Sequence, residues 1–192
     1  MSVIENNDWS ALWNYKMRVL HRNVNFESVG RVLMKRAFFV IGPEGCGTYM
    51  LAKAFVSAGC TYCDKDGLDE FLAMKQPDNI VVQRSLPHAG IWLNIDFVLS
   101  FLRDNDYMPY LFRIIRDQHC AEMTVMRKNP SVRMQYGKAM QIIGESIQKH
   151  PGWTISYEYF VTNPRYRKML FQKAGLREPE MEFYDGNARY YG

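Results

Sequence analysis

Ala37-Phe38-Phe39-Val40-Ile41-Gly42-Pro43-Glu44-Gly45-Cys46-Gly47-Thr48-Tyr49-Met50-Leu51 is the stretch on which the reading of this chain turns. Its first five residues form an unbroken apolar run, short enough for a strand and apolar on both faces, as in a parallel sheet covered by helices. A glycine-rich turn follows at once, and Met50, Leu51, Ala54 and Phe55 then fall at helical spacing until Gly59. Strand, glycine loop and helix in this order bring backbone N–H groups and a helix N-terminus, worth about half a positive charge, to one point. That geometry binds phosphate. Gly42, Gly45, Cys46, Gly47, Thr48 and Tyr49 are therefore the first candidate nucleotide-binding residues. The G-x-x-x-x-G spacing is that of a P-loop, yet Thr48 and Tyr49 stand where a nucleotide triphosphatase carries Lys and then Ser or Thr.

Outward from the loop, strands are predicted over Asn79–Arg84, Tyr110–Ile115 and Trp153–Ser156. Helices are predicted over Ile95–Leu102, Cys120–Met126 and Ser131–Lys149, and from Pro164 through Ala174. Strands alternating with helices predict an α/β fold of the P-loop kind, three layers α/β/α around a mainly parallel central sheet. Nothing divides the chain, so a single domain over residues 1–192 is expected, with residues 1–35 as a helical N-terminal extension. There Trp9, Leu12, Trp13, Met17 and Leu20 recur at steps of three and four behind Asp8 as N-cap. From Arg177 onward the tail reads as irregular.

Composition bounds the partners. The chain has 192 residues, 47% hydrophobic and 23% charged, enough for an ordinary core without staples. A net charge of +4 without a concentrated basic stripe suits a small polyanion and argues against nucleic acid. Apolar runs fall far short of the roughly 18 residues that a membrane span needs, and the N-terminus lacks the apolar stretch of a signal peptide. A soluble protein of a reducing compartment, the cytoplasm, is the expectation. The 4 cysteines set no disulfide framework. Cys60-Thr61-Tyr62-Cys63 is a lone C-x-x-C, half a zinc site or a redox pair by spacing, with no second pair to complete tetrahedral coordination.

Three segments resemble the sulfotransferase family. Gly42-Pro43-Glu44 followed by Gly47-Thr48 and an apolar helix resembles its phosphosulfate-binding loop, which typically reads Ser-Gly-Thr where this chain has Cys46-Gly47-Thr48. Leu111-Phe112-Arg113-Ile114-Ile115-Arg116-Asp117 with Thr124 eight residues after Arg116 resembles the family's Arg and Ser that hold the donor's 3′-phosphate. Tyr157-Glu158, with Pro164 and the helix after it, resembles a C-terminal segment that ties the last strand to a helix, which implies a structural role for Glu158. The resemblance spans residues 37 to 176. It implies 3′-phosphoadenosine 5′-phosphosulfate as donor, an acceptor hydroxyl or amine that the sequence does not identify, and no metal.

The resemblance also marks departures. In Gln83-Arg84-Ser85-Leu86-Pro87-His88, the family's Leu-Pro word is preceded by a general-base His, and alignment puts Ser85 on that position. His88 is then the candidate base if the turn at Pro87 brings it back, the alternative being an ordinary loop histidine. A Lys or Arg in many family loops is replaced by Gly45, and that cation stabilises charge during sulfuryl transfer. Arg84 is expected to replace it from a neighbouring strand end, either as that cation or only as a phosphate anchor. Arg189, in a glycine-containing tail, is a candidate for the 3′-phosphate, against the alternative of a frayed terminus. Two other readings remain open: a P-loop kinase or nucleotide hydrolase using Asp117 or Asp64 with magnesium, and a nucleotide-binding module that has lost its chemistry. Acceptor-pocket walls are expected from Asp64–Asp78 and from the helix Ser131–Lys149.

Overall fold

The computed structural model describes residues 35–64, 67–68, 71–72, 77–130 and 134–191. The amphipathic stripe from Trp9 to Leu20 and much of the wall expected from Asp64–Asp78 lie outside the described residues. Five parallel strands form one sheet: β1 (Lys35–Pro43), β2 (Thr61–Asp64), β3 (Asn79–Leu86), β4 (Tyr107–Ile115) and β5 (Gly152–Ser156), in the order β2-β3-β1-β4-β5. The helices are α1 (Thr48–Ser57), α2 (Ile95–Asp104), α3 (Gln118–Lys128), α4 (Tyr136–Lys149), α5 (Tyr157–Thr162) and α6 (Pro164–Lys173).

Strand alternation sorts the core into two layers. Phe38 and Val40 of β1 pack with Leu51 and Phe55 of α1, Phe160 of α5, and Leu170 and Phe171 of α6. Ala37, Phe39 and Ile41 pack on the other face with Val98, Leu99 and Leu102 of α2 and Ala139 and Ile143 of α4. This is the expected three-layer α/β/α arrangement, with β1 buried on both sides as its unbroken apolar run requires. β2 and β3 lie on one side of β1 and β4 and β5 on the other, so the sheet has a switch point there, and such folds bind ligands outside the strand C-termini at that point.

Some elements differ from their predicted form. β4 begins at Tyr107 rather than Tyr110, because Pro109 falls where β4 is paired with β1 alone. β5 joins only from Leu111, so the missing proline N–H is tolerated. α4 begins at Tyr136, later than the predicted Ser131. β2 overlaps the C-x-x-C motif, a stretch for which no strand is predicted. Its short edge strand sends Cys63 into the α2 layer while Cys60, just before it, joins the α1 layer. Two thiols on opposite faces of a sheet cannot share a metal or a disulfide, and burial pushes the Cys60 thiol up to about 12. Among the described residues no helix is long and apolar enough to cross a membrane.

β4 also buries a cation. Arg113, 1% exposed, donates from Nε to Ser146 Oγ at 2.7 Å and from Nη2 to the Ser146 and His150 carbonyls at 2.6 and 2.7 Å. It thereby adds a second donor to the Ser146 carbonyl, which the His150 N–H already bonds at 2.9 Å, and satisfies the His150 carbonyl just past the end of α4. Burial lowers its pKa to about 10.

Candidate functional site

The loop between β1 and α1 is built around two glycines in the left-handed region, Gly45 (φ 78°) and Gly47 (φ 91°). A Cβ on Gly45 would lie 2.4 Å from the Ala121 carbonyl oxygen of α3, and one on Gly47 would lie 2.7 Å from the Tyr157 ring. The loop is thus wedged between α3 and α5, and only glycine meets both the conformation and the space. Cys46 N–H closes a turn onto the Pro43 carbonyl at 3.1 Å, and the first bond of α1 runs from Leu51 N–H to the Gly47 carbonyl at 3.0 Å. The N–H groups of Thr48, Tyr49 and Met50 are therefore first-turn donors without helical acceptors, above an N-cap that has no side chain. They are the groups an anion would meet.

Around this loop, β3 contributes by alternation. Gln83 Nε2 donates to Thr48 Oγ1 at 2.9 Å, and Ser85 Oγ lies 3.4 Å from the same oxygen. Tyr62 Oη donates to Gln83 Oε1 at 3.3 Å, which fixes the amide with its NH2 toward Thr48. Thr48, 5% exposed, is thus oriented by β3. Gln83 escaped the sequence reading, although its place two residues before Ser85 on one strand carried the signal.

A second corner forms at the end of β4. Arg116, 7% exposed, donates from Nη1 to the Gly45 carbonyl at 2.7 Å and to Thr124 Oγ1 at 3.0 Å, and from Nε to Asn187 Oδ1 at 2.6 Å. The Tyr157 ring lies beneath the guanidinium, 4.4 Å from centroid to Cζ. Tyr136 Oη donates to the Arg116 carbonyl at 2.6 Å, so backbone and side chain are both held. Thr124 lies on α3, whose N-terminus is capped by the Asp117 carboxylate accepting from Cys120 N–H at 3.0 Å.

The tail from Arg177 is irregular as expected up to the 3₁₀ turn Ala188–Tyr190, but it is not frayed. Gly186 N–H donates to Tyr157 Oη at 3.0 Å, Asn187 bonds Arg116, and Tyr190 Oη lies 3.0 Å from Thr124 Oγ1 within the 3₁₀ turn Ala188–Tyr190. Glu158 organises this closure: its Oε1 accepts from Asp117 N–H and Asn187 Nδ2, both at 2.9 Å, and its Oε2 from Ser156 Oγ at 2.8 Å. Burial raises the Glu158 pKa, but these donors together outweigh it and hold the carboxyl below its ordinary value. A depressed folded-state pKa means stability present at neutral pH and lost as acid protonates the folded carboxylate. Acidification below the ordinary glutamate range is therefore expected to speed exchange of the Gly186 amide. In Glu158→Gln that acid-dependent step should vanish, and an unchanged acid profile would remove Glu158 from the closure.

The structure brings Gly42, Gly45, Cys46, Gly47, Thr48, Ser85, Arg116 and Thr124 together. Cys46 is fully buried and takes part through its backbone, since burial, the largest influence, pushes its thiol up to about 12 despite Arg116 nearby. Tyr49 is 57% exposed, its ring under Lys53 Nζ at 4.8 Å, so only its N–H faces the loop. Arg84 differs from expectation. Strand alternation turns it to the α2 face, opposite to Gln83 and Ser85, where it lines a separate cavity with Trp92 and Phe97. His88 sits exposed in a two-residue hairpin turn, its N–H and carbonyl bonded to Ile91 at 3.1 and 2.9 Å, with Ala89 (φ 48°) and Gly90 (φ 78°) between. Arg189 is exposed on the 3₁₀ turn, and its neighbours Asn187 and Tyr190 are the tail residues that engage the Arg116 corner. Comparison with protein-family models and with curated proteins finds no match to this chain.

Proposed function

We propose that the chain binds 3′-phosphoadenosine 5′-phosphosulfate and transfers its sulfuryl group to a hydroxyl or amine. The observation that carries this reading is the pairing of two anion-binding corners. One is the loop and N-terminus of α1; the other is Arg116 with Thr124 at 3.0 Å, joined to the first through the Gly45 carbonyl. A nucleotide with phosphate at both 5′ and 3′ positions has the two charges such corners ask for. The first-turn N–H groups and Thr48 hold the 5′-phosphosulfate, and the Arg116 guanidinium, positioned by its Nη1 bond to Thr124 Oγ1, holds the 3′-phosphate. The acceptor oxygen or nitrogen then attacks sulfur in line. A new bond to sulfur forms as the bond from sulfur to the bridging phosphate oxygen breaks, and adenosine 3′,5′-bisphosphate leaves. The acceptor proton goes to a base, a role this reading gives to His88 on the hairpin after β3.

One observation favours a second reading, nucleotide binding without transfer. Gly45 has no room for the cation that would offset transition-state charge, and Arg84 faces the other side of the sheet. Calorimetric titration with adenosine 3′,5′-bisphosphate, set against ATP with magnesium, tests the nucleotide class. Preference for the bisphosphate by at least tenfold is expected; preference for ATP with magnesium would replace both readings by phosphoryl transfer. Bisphosphate release from the phosphosulfate donor, measured across a panel of acceptors, then separates transfer from binding alone.

A further inference from the structure

We infer that Gln83 and Tyr62 are positioning residues that set the loop's preference for a 5′-oxyanion, by fixing the direction in which the Thr48 hydroxyl donates. The inference rests on the nucleotide reading above and adds to it two residues that act only through Thr48. Gln83 Nε2 donates to Thr48 Oγ1 at 2.9 Å, and Gln83 Oε1 accepts from Tyr62 Oη at 3.3 Å. An amide held at both ends in this way presents its NH2, and not its carbonyl, to Thr48. A hydroxyl that accepts from an amide keeps its own proton to give. Thr48 Oγ1 and Ser85 Oγ lie 3.4 Å apart, so one of their two protons closes the bond between them. The other has no acceptor among the described residues.

The surroundings point the same way. Thr48 is buried, so that proton has little water to turn to, and an unmet buried donor is costly. The first-turn N–H groups of α1 are donors as well, at the positive end of the helix. A ligand that brings lone pairs and negative charge satisfies all of them at once. The relay begins outside the loop. Tyr62 lies on the edge strand β2, inside the C-x-x-C stretch whose thiols go to opposite layers. Asp64 pairs in register with Gln83, and Tyr62 comes two residues earlier on the same face of β2. The motif thus reaches the loop through its tyrosine and not through its cysteines. Glutamate in place of Gln83 would reverse the chain. A carboxylate only accepts, so it would draw the Thr48 proton back toward β3 and stand as a negative charge beside the ligand.

The test titrates the full chain by calorimetry with adenosine 3′,5′-bisphosphate and with adenosine 3′-monophosphate. Both ligands carry the 3′-phosphate, so the ratio of their affinities reads the 5′-phosphate. Gln83→Glu is expected to lower bisphosphate affinity at least tenfold, roughly one charge-assisted hydrogen bond, and to leave the 3′-monophosphate within about twofold. Tyr62→Phe, at a position 36% exposed on the sheet edge, lets the amide turn over and should lower the ratio about threefold, so the result does not depend on Gln83→Glu folding. A substitution that merely loosened β3 would weaken both ligands alike. A ratio unchanged in Tyr62→Phe, or a loss shared equally by the two ligands, would overturn the inference and leave the nucleotide reading standing. Failure of that reading shows elsewhere: the unsubstituted chain would not prefer the bisphosphate over the 3′-monophosphate, and the inference would fall with it.

Discussion

Gly45→Ala is expected to lower the unfolding free energy by about 3 kcal/mol, combining the left-handed backbone cost with overpacking. Gly45 sits at φ 78° with a built Cβ 2.4 Å from the Ala121 carbonyl, a backbone atom that moves only if α3 or the whole loop shifts. Gly59→Ala is the control: φ is 104°, but nothing lies within 4 Å, so only the conformational cost of about 1–2 kcal/mol applies. Urea unfolding of the two variants isolates the packing contribution. Equal midpoints would mean that α3 does not press on the loop. The same geometry predicts that Gly45→Lys, which restores the cation of the resembling family, loses loop structure and bisphosphate binding together. The docking of α3 thus leaves no room for a side chain at position 45, and a single substitution does not create it.

Arg116→Ala is expected to lower bisphosphate affinity at least a hundredfold, about 2.7 kcal/mol. It should also lower stability by about 3 kcal/mol, because charge-assisted hydrogen bonds are lost and their acceptors stay behind. The Gly45 carbonyl and Asn187 Oδ1 are those acceptors, and Tyr157 loses the cation above its ring. Arg116→Lys keeps the charge but not the fork, so a loss of about tenfold is expected for the bisphosphate. Asn187→Ala separates tail from cation: it releases Nε of Arg116 while leaving the charge, and bisphosphate affinity should stay within about threefold if the tail only covers the site. Titration calorimetry and urea unfolding on the same samples give both quantities. Undiminished bisphosphate binding by a folded Arg116→Ala protein would remove this corner from the nucleotide site.

Much of the candidate site was legible because its parts are local. The strand from Ala37 to Ile41, the glycine turn and the helix after it are contiguous, and Arg116 and Thr124 lie eight residues apart across one strand–helix junction. What was not legible depended on facing and on distance along the chain. Arg84 and Ser85 are neighbours in sequence, but the pleat sends them to opposite layers, and no spacing argument said which of them followed the loop. Asn187 meets Arg116 across 71 residues, and nothing in the tail's polar, glycine-containing sequence announces that contact. Glu158, read as structural, reaches both Asp117 and Asn187.

The sequence by itself determined the alternation of strands and helices, the apolar burial of β1 on both faces and the glycines that let a tight turn form between β1 and α1. These follow from side-chain periodicity and backbone sterics, which act over a few residues. The tertiary structure alone decided the strand order, the separation of Cys60 from Cys63, the exclusion of any side chain at Gly45 by α3, and the closing of the tail over Arg116. Those depend on which surfaces meet when the two apolar layers are buried at once, a condition on the whole chain that no local segment contains.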